Sequence, residues 1–399
     1  MLNTNTQVDV VIEQRFYCCE QGYFWTENSF AYQFWLRYLM VFSHVNIVAR
    51  VYKVKVAESH WHRVDGEHVS FIVLPYYVGL IGFVKTLPRL IQHLIKQRQR
   101  TRHVIYRVPS ILSLLYHVFA VRRGQKYAAE VVGDPADTFA ENASKSMLRP
   151  FVRQAFIVML RQQCHRACAI SYVTEVSLQK RYPPAKTAFQ THYSSIQLTS
   201  SDYYQRKSYE FAQNKTNKLL KIICIGNLAQ PYKGCDFMLR TLAKLKSKNY
   251  LFELSWIGGG SLLTEMQQLS VTLEISEQVN FIGNLSEREQ ISIELDKADV
   301  FVLCSRQEGL PRVLIEAMAR SLVCVATNVG GVPELLPLNY IIERDNETQL
   351  LDQLIALYLL DEKQLLTLGA ENYKKALAYE DNILAKRRQQ MYMALLKAE

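Results

Sequence analysis

The 399 residues are 49% apolar and 21% charged, the balance of an ordinary globular chain. That excludes a mainly disordered, collagen-like or disulfide-scaffold protein. Lys and Arg number 47 against 37 Asp and Glu, a net charge of +10, which directs attention to nucleic acid, an anionic membrane surface or a phosphorylated ligand as partner. The excess is confined to one half. Residues 1–200 carry 24 basic and 12 acidic side chains, and none of the acidic ones lies between His68 and Ala129.

Short β-branched runs predict strands at Val8–Ile12, Val45–Val51, Val69–Leu74, Val104–Tyr106, Tyr127–Val132 and Ala167–Val173. Helical patterns fall between them at Phe30–Phe42, Lys85–Gln99 and Arg149–Arg166. A polar stretch without clean period, Leu198–Lys218, reads as a linker. The alternation then resumes, with strands at Leu219–Ile225, Phe252–Ile257, Val279–Ile282, Val300–Leu303 and Val323–Thr327. Helices are expected at Cys235–Lys246, Thr348–Leu360, Glu362–Ala378 and Tyr379–Leu396. Near-continuous apolar strands separated by helices signal parallel sheets covered on both faces. Two such series predict an α/β protein of two doubly wound, Rossmann-like domains: residues 1–200, a linker at 201–218, residues 219–375, and a final helix, 376–399, returning to the first domain.

The N-terminal MLNTNTQVDVVIEQ has no basic region followed by an apolar core, and the uncharged run Val69–Val84 falls short of a membrane span. The expected location is cytoplasmic, with peripheral contact on the membrane face. The segment 85–102, KTLPRLIQHLIKQRQRTR, suits two readings: a helix lying on anionic lipid, or an ordinary sheet-covering helix with a solvated basic face. The eight cysteines, several inside apolar runs, read as small buried hydrophobes rather than metal ligands.

Open parallel sheets bind ligands beyond the carboxyl ends of their strands. Leu219–Ile225 is followed by Gly226-Asn227 and then Lys233-Gly234, where a helix starts. Lys233 there can meet phosphate as a point charge. Phe252–Ile257 is followed by Gly258, Gly259 and Gly260. Val300–Leu303 leads into Glu308-Gly309-Leu310-Pro311 and, further on, Glu316. Pro311 suits the first turn of a helix, whose leading N–H groups form an anion site. Carboxylates beside that site suit sugar hydroxyls, which donate to them. Val323–Thr327 ends in Gly330-Gly331. Each loop alone also fits a plain strand–helix connection; four in succession describe a nucleotide-sugar pocket.

The ordered set GNLAQPYKG, WIGGG, ADVFVLCSRQEGLPRVLIEAMA and ATNVGGVPEL resembles the donor domain of glycosyltransferase family 4, retaining enzymes of GT-B architecture in which two Rossmann-like domains face across a cleft. The first half, through YFWTENSFAYQFWLRYLM, YRVPSILSLL and EVVGDPADTF, is similar to bacterial exopolysaccharide and capsule transferases. The resemblance implies transfer of a hexose-type sugar from a UDP- or GDP-sugar to a hydroxyl of a glycan or lipid-diphosphate-linked acceptor. It implies that Glu308 contacts the donor sugar, Glu316 the ribose and Lys233 the phosphates, with amides from Gly309 and Leu310 on the diphosphate and Gly330 and Gly331 in the loop behind. Many family members have Arg near the place of Asn227, and a His where this chain reads Gly133-Asp134-Pro135, so Asp134 is a candidate catalytic residue. Tyr23, Trp25 and Asp134 are the acceptor-side candidates. No Asp-x-Asp occurs, so neither a metal nor another cofactor is expected. Rival readings are a non-catalytic nucleotide-sugar-binding protein, an epimerase or phosphorylase of the same architecture, and a nucleic-acid binder, the last without any recognisable motif.

Overall fold

The structure is a computed structural model that describes residues 6–98, 103–138, 149–209, 218–285 and 287–398. The chain forms two compact units, Met1–Tyr193 with Ala385–Glu399, and Ser194–Leu384. The division falls ahead of the polar stretch, so residues 194–209 and Lys218 group with the second unit.

In chain order the first unit contains β1 (Gln7–Cys18), β2 (Phe24–Thr26), α1 (Tyr32–Leu39), β3 (His44–Lys53), β4 (His62–Arg63) and β5 (Val69–Leu74). Then follow α2 (Gly79–Gln97), β6 (His103–Val108), α3 (Ile111–Phe119), β7 (Ala128–Val131) and α4 (Pro135–Thr138). α5 (Arg149–Arg166), β8 (Ala169–Tyr172), α6 (Ser177–Arg181) and β9 (Phe189–His192) complete the run. The strands β5-β3-β1-β6-β7-β8-β9 pair in parallel. β2 and β4 add a small antiparallel corner on the outer end of β1, beyond a register shift between Val11 and Arg15. Of the predicted helix Lys85–Gln99, the last residue lies outside the described residues, as do 99–102 of the basic segment. The helix starts earlier than predicted, at Gly79.

Alternation along the strands sends side chains to two faces. Val104, Tyr106, Ala129, Val131 and Ile170 form one core with Leu90 and Leu94 of α2, Leu112 and Tyr116 of α3, and Leu160 and Cys164 of α5. On the other side of β7, Glu130 is buried and accepts hydrogen bonds from the hydroxyls of Tyr38 at 2.9 Å, Tyr193 at 2.9 Å and Tyr392 at 3.0 Å, and pairs with Arg107. Burial alone would raise the Glu130 pKa; Arg107 and the three phenols outweigh it and hold the carboxyl below its usual value. Tyr392 comes from the last helix and stacks on Tyr38 of α1 at 5.1 Å.

The second unit contains β10 (Leu219–Ile225), α7 (Cys235–Ser247), β11 (Leu251–Ile257), α8 (Leu263–Thr272), β12 (Val279–Gly283), α9 (Arg288–Lys297) and β13 (Val300–Leu303). After these come α10 (Arg312–Ala319), β14 (Val323–Thr327), α11 (Val332–Leu335), β15 (Ile341–Ile342), α12 (Glu347–Leu359), α13 (Glu362–Ala376) and α14 (Asp381–Lys397). From Ala385 onward α14 belongs to the first unit. The sheet order is β12-β11-β10-β13-β14-β15, all parallel. The chain thus steps outward from β10 on one side, then returns and steps outward from β13 on the other. The reversal lies between β10 and β13, which is where such sheets bind ligands.

No helix among the described residues is long and apolar enough to cross a membrane. All eight cysteines are free, six of them buried. Truncation of Arg107 to Met leaves Glu130 buried without its countercharge. Chemical denaturation is expected to show a loss of about 3 kcal/mol.

Candidate active site

Lys233 and Glu308 approach from the two strands that flank the reversal. Lys233 ends a single 3-10 turn, Pro231–Lys233, in the loop after β10, and Glu308 lies in the loop after β13. Lys233 Nζ is 2.5 Å from Glu308 Oε1, and both side chains are largely shielded. The Ser305 hydroxyl donates to the same Glu308 oxygen at 2.6 Å.

Backbone contacts explain why this loop cluster needs glycine. Gly330 has φ of 50°, and a Cβ there would lie 2.2 Å from the Glu308 carbonyl oxygen. Gly331 N–H donates to the Gly309 carbonyl at 2.6 Å. The loop after β14 is therefore pressed under the Glu308–Gly309 loop. Gly258, with φ of 128°, would put a Cβ 2.2 Å from the Gly226 carbonyl oxygen. Leu228 N–H and Gly259 O close the same interlock at 2.8 Å, and Asn284 Oδ1 receives Gly259 N–H at 2.7 Å. Gly226 faces the Lys233 side chain directly: a Cβ at Gly226 would be 3.0 Å from Lys233 Cβ. Asn227 accepts from Ala229 N–H at 2.6 Å and shapes the turn.

Pro311 caps α10, and Gly309 and Leu310 precede it. The first amides of a helix have no partner within it and carry partial positive charge. They are consequently presented beside the Lys233–Glu308 pair. Glu316, one turn further, faces elsewhere: it lines a groove of about 170 Å³ with Leu198, Asp202, Arg288, Ser292 and Arg320. Arg288 there pairs with Asp202 at 3.3 Å. Burial pushes the Glu316 carboxyl above its usual value, despite the opposing field of Arg312 and Arg288. The structure thus gathers Lys233, Glu308, Gly309, Gly226, Gly330 and Gly331, with Leu310 and Pro311 next in the chain, and sets Glu316 in a groove lined by none of these.

The first-unit candidates have other surroundings. Asp134 is buried, and its oxygens accept from Tyr182 OH at 2.5 Å, Ala136 N–H at 2.8 Å and the Arg181 guanidinium. With both oxygens engaged, Asp134 is built into the start of α4 and the end of α6. Trp25 pairs in register with Tyr17 and Arg63, and Arg63 lies 4.0 Å over the Tyr23 ring. Among the described residues no group of His, Cys, Asp or Glu is placed to hold a metal ion.

One residue escaped the sequence reading. Arg306 N–H donates to the Tyr232 carbonyl at 2.7 Å, and Arg306 Nη1 to the Pro231 carbonyl at 2.6 Å. Its guanidinium also grips Asp236 at 2.9 Å and Asp345 at 2.7 Å. Burial would lower its pKa, but the two aspartates outweigh that and raise it. Arg306 therefore ties the Lys233 turn to the Glu308 loop. Its only sequence signal is a place two residues ahead of Glu308.

Residues 205–375 match the family model for glycosyl transferases group 1. This segment is similar to the domain that the family shares. Over 76% of its length the chain is 23% identical to Protein CapJ of Staphylococcus aureus, spanning 74% of that protein. In fold it is similar to sucrose-phosphate synthase from Thermosynechococcus elongatus, with a TM-score of 0.69 at 16% identity over 99% of this chain and 100% of the other. HepE from Anabaena, solved in complex with UDP-glucose, gives 0.64 at 13% identity over 98% and 100%. The fold class is GT-B: two Rossmann-like α/β domains built on parallel sheets. The segment that matches the family model contains Lys233, Glu308 and Glu316.

Two outcomes follow from this geometry. Because the folded-state pKa of Glu316 is raised, its ionisation works against folding as pH climbs through that value, and the effect is absent below the ordinary glutamate range of about 4.3. Glu316→Gln should melt higher than the parent at pH 8, with the difference vanishing near pH 4, in thermal melts across pH. Arg306→Ala should lower stability by about 2 kcal/mol, read by denaturant titration, because charged hydrogen-bonded partners lose their donor.

Proposed function

We propose that the chain is a retaining hexosyltransferase. It moves a sugar from a UDP- or GDP-sugar to a hydroxyl of a glycan or lipid-diphosphate-linked acceptor in the synthesis of a bacterial surface polysaccharide. The observation that carries this reading is the Lys233–Glu308 contact of 2.5 Å at the sheet reversal, beside the leading amides of α10. Similarity in fold to HepE, solved with UDP-glucose, supports the donor class, and 31% identity over 126 residues to the amylovoran biosynthesis glycosyltransferase AmsK of Erwinia amylovora, 30% of each chain, supports the pathway.

The chemistry follows from charge. When the bond from the sugar C1 to the diphosphate oxygen breaks, negative charge grows on the leaving group. Lys233 and the amides of Gly309 and Leu310 stabilise it without reorganising. Glu308 pairs with Lys233; with donor bound, the diphosphate takes the ammonium and Glu308 turns to a sugar hydroxyl. Glu316, in its own groove, receives the ribose. The acceptor oxygen bonds to C1 on the face that the phosphate leaves, and its proton passes to the departing phosphate oxygen, which keeps the anomeric configuration. This route calls for no protein base, consistent with an Asp134 already engaged by Arg181 and Tyr182. Tyr23 and Trp25 remain the acceptor-side residues of the reading.

A thermal-shift panel of UDP- and GDP-sugars should identify the donor, since saturation at a hundred times Kd adds about 2.7 kcal/mol. With that donor, Lys233→Ala should lose the shift and at least about a hundredfold in transfer. Glu308→Gln should keep the shift with the nucleoside diphosphate and lose transfer. Unchanged transfer in both variants would overturn the site.

A further inference from the structure

The cluster around Glu130 leaves one buried cation unanswered. Glu130 Oε2 accepts from Tyr38 and Arg107, and Oε1 from Tyr193 and Tyr392. A carboxylate offers about four lone-pair positions, so Glu130 is fully used. Arg37, the neighbour of Tyr38 in α1, is 7% exposed and has no share in it.

Among the described residues Arg37 donates no hydrogen bond and joins no ion pair, and its Nε is buried without a partner. It stands in the last turn of α1, near the negative end of the helix dipole, yet no carbonyl there accepts from it. What holds it is a ring: its guanidinium carbon lies 4.0 Å from the centroid of Phe34. Arg107 lies 5.1 Å from the same centroid. Arg388 of α14, itself buried, brings a third guanidinium to the cluster, 6.0 Å from the Tyr193 ring.

A cation–π contact and a short helix dipole recover only part of what desolvating an ion costs. The charges nearby add to that cost. Burial lowers the Arg37 pKa most and Arg388 next, with Arg107 adding to them; the phenols of Tyr38 and Tyr392 oppose the shift without reversing it. Arginine presents five N–H donors in a planar fork that matches two oxygens of a phosphate or carboxylate. A neutral ligand would leave the like charges as they are, and a monocarboxylate would balance Arg37 alone. A phosphate group carries more than one negative charge near neutral pH, and its oxygens can face more than one cation.

We propose that Arg37, with Arg388 beside it, is a buried binding site for a phosphate-type oxyanion, which pins α14 against α1 by bridging their like charges. The two helices already meet through the stacked rings of Tyr38 and Tyr392. The proposal is independent of the donor reading, because neither arginine lies in the segment that matches the family model.

The test is thermal melting of the full chain carrying Lys233→Ala, which removes the donor-side phosphate contact. Inorganic phosphate or UDP is added to a phosphate-free buffer at constant ionic strength. A saturable rise in melting temperature with inorganic phosphate is expected and assigns the free ion. A rise with UDP alone assigns the phosphates of a nucleotide and supports the site equally. Arg37→Met in the same background should lose the rise. Without phosphate it should melt no lower than its background, because Met keeps the contact on Phe34 and removes a buried charge. Should Arg37→Met fail to fold, Arg37→Lys keeps the charge without the fork. It should move the midpoint of the phosphate response to at least about tenfold higher concentration. No rise with either anion, or the same response with and without the Arg37 substitution, overturns the proposal.

Discussion

The meeting of Lys233 with Glu308 depends on a constraint of topology rather than of either residue. Strand order in the second sheet reverses between β10 and β13, so the loops after those two strands are neighbours while their helices leave to opposite faces. The gap so formed is closed by backbone. Gly258 and Gly330 allow carbonyls of adjacent loops to approach where any Cβ would collide, and Arg306 clasps the two loops from outside. A cation and a carboxylate in contact at the mouth of this gap balance each other's charge.

Much of the scaffold was legible because it is buried on both faces. β5, β10, β13 and β14 match their predicted spans residue for residue, as does α5, since continuous β-branched runs and a long helical period leave little choice. Short elements escaped. β2 and β4 have three and two residues, and β9 is FQTH with half its side chains exposed, so no pattern builds up. α3 is apolar nearly all round, and ILSLLYHVF shows no polar face to reveal its period. α2 begins at Gly79 rather than near Lys85 because its first turn is uncharged and resembles the strand before it.

The site divides in the same way. Lys233, Glu308 and the glycines stand in local motifs and could be named. Arg306 acts through Asp236 and Asp345, 70 and 39 residues away, and Asp134 is held by Arg181 and Tyr182, 47 and 48 residues away. Only the folded chain brings these together. Charge is likewise organised differently in the two units. In the second, arginines are matched pairwise, Arg306 with Asp236 and Arg320 with Asp296, and the sum stays near neutral. In the first, three of the helices that cover the sheet, α2, α3 and α5, contain basic residues and no acidic one.

The hydroxyl cluster around Glu130 has a consequence for how the protein is made. Its acceptor lies at residue 130, two donors at 38 and 193, and the third, Tyr392, beyond the whole second unit in the sequence. Synthesis runs from the N-terminus, and domains tend to fold in the order in which they emerge. Here the first unit to emerge is the one that must wait. The whole second unit is translated before α14 can deliver Tyr392, and a nascent chain stalled short of it carries a buried carboxylate lacking one of its partners. The order of emergence from the ribosome and the order of completion are therefore opposite.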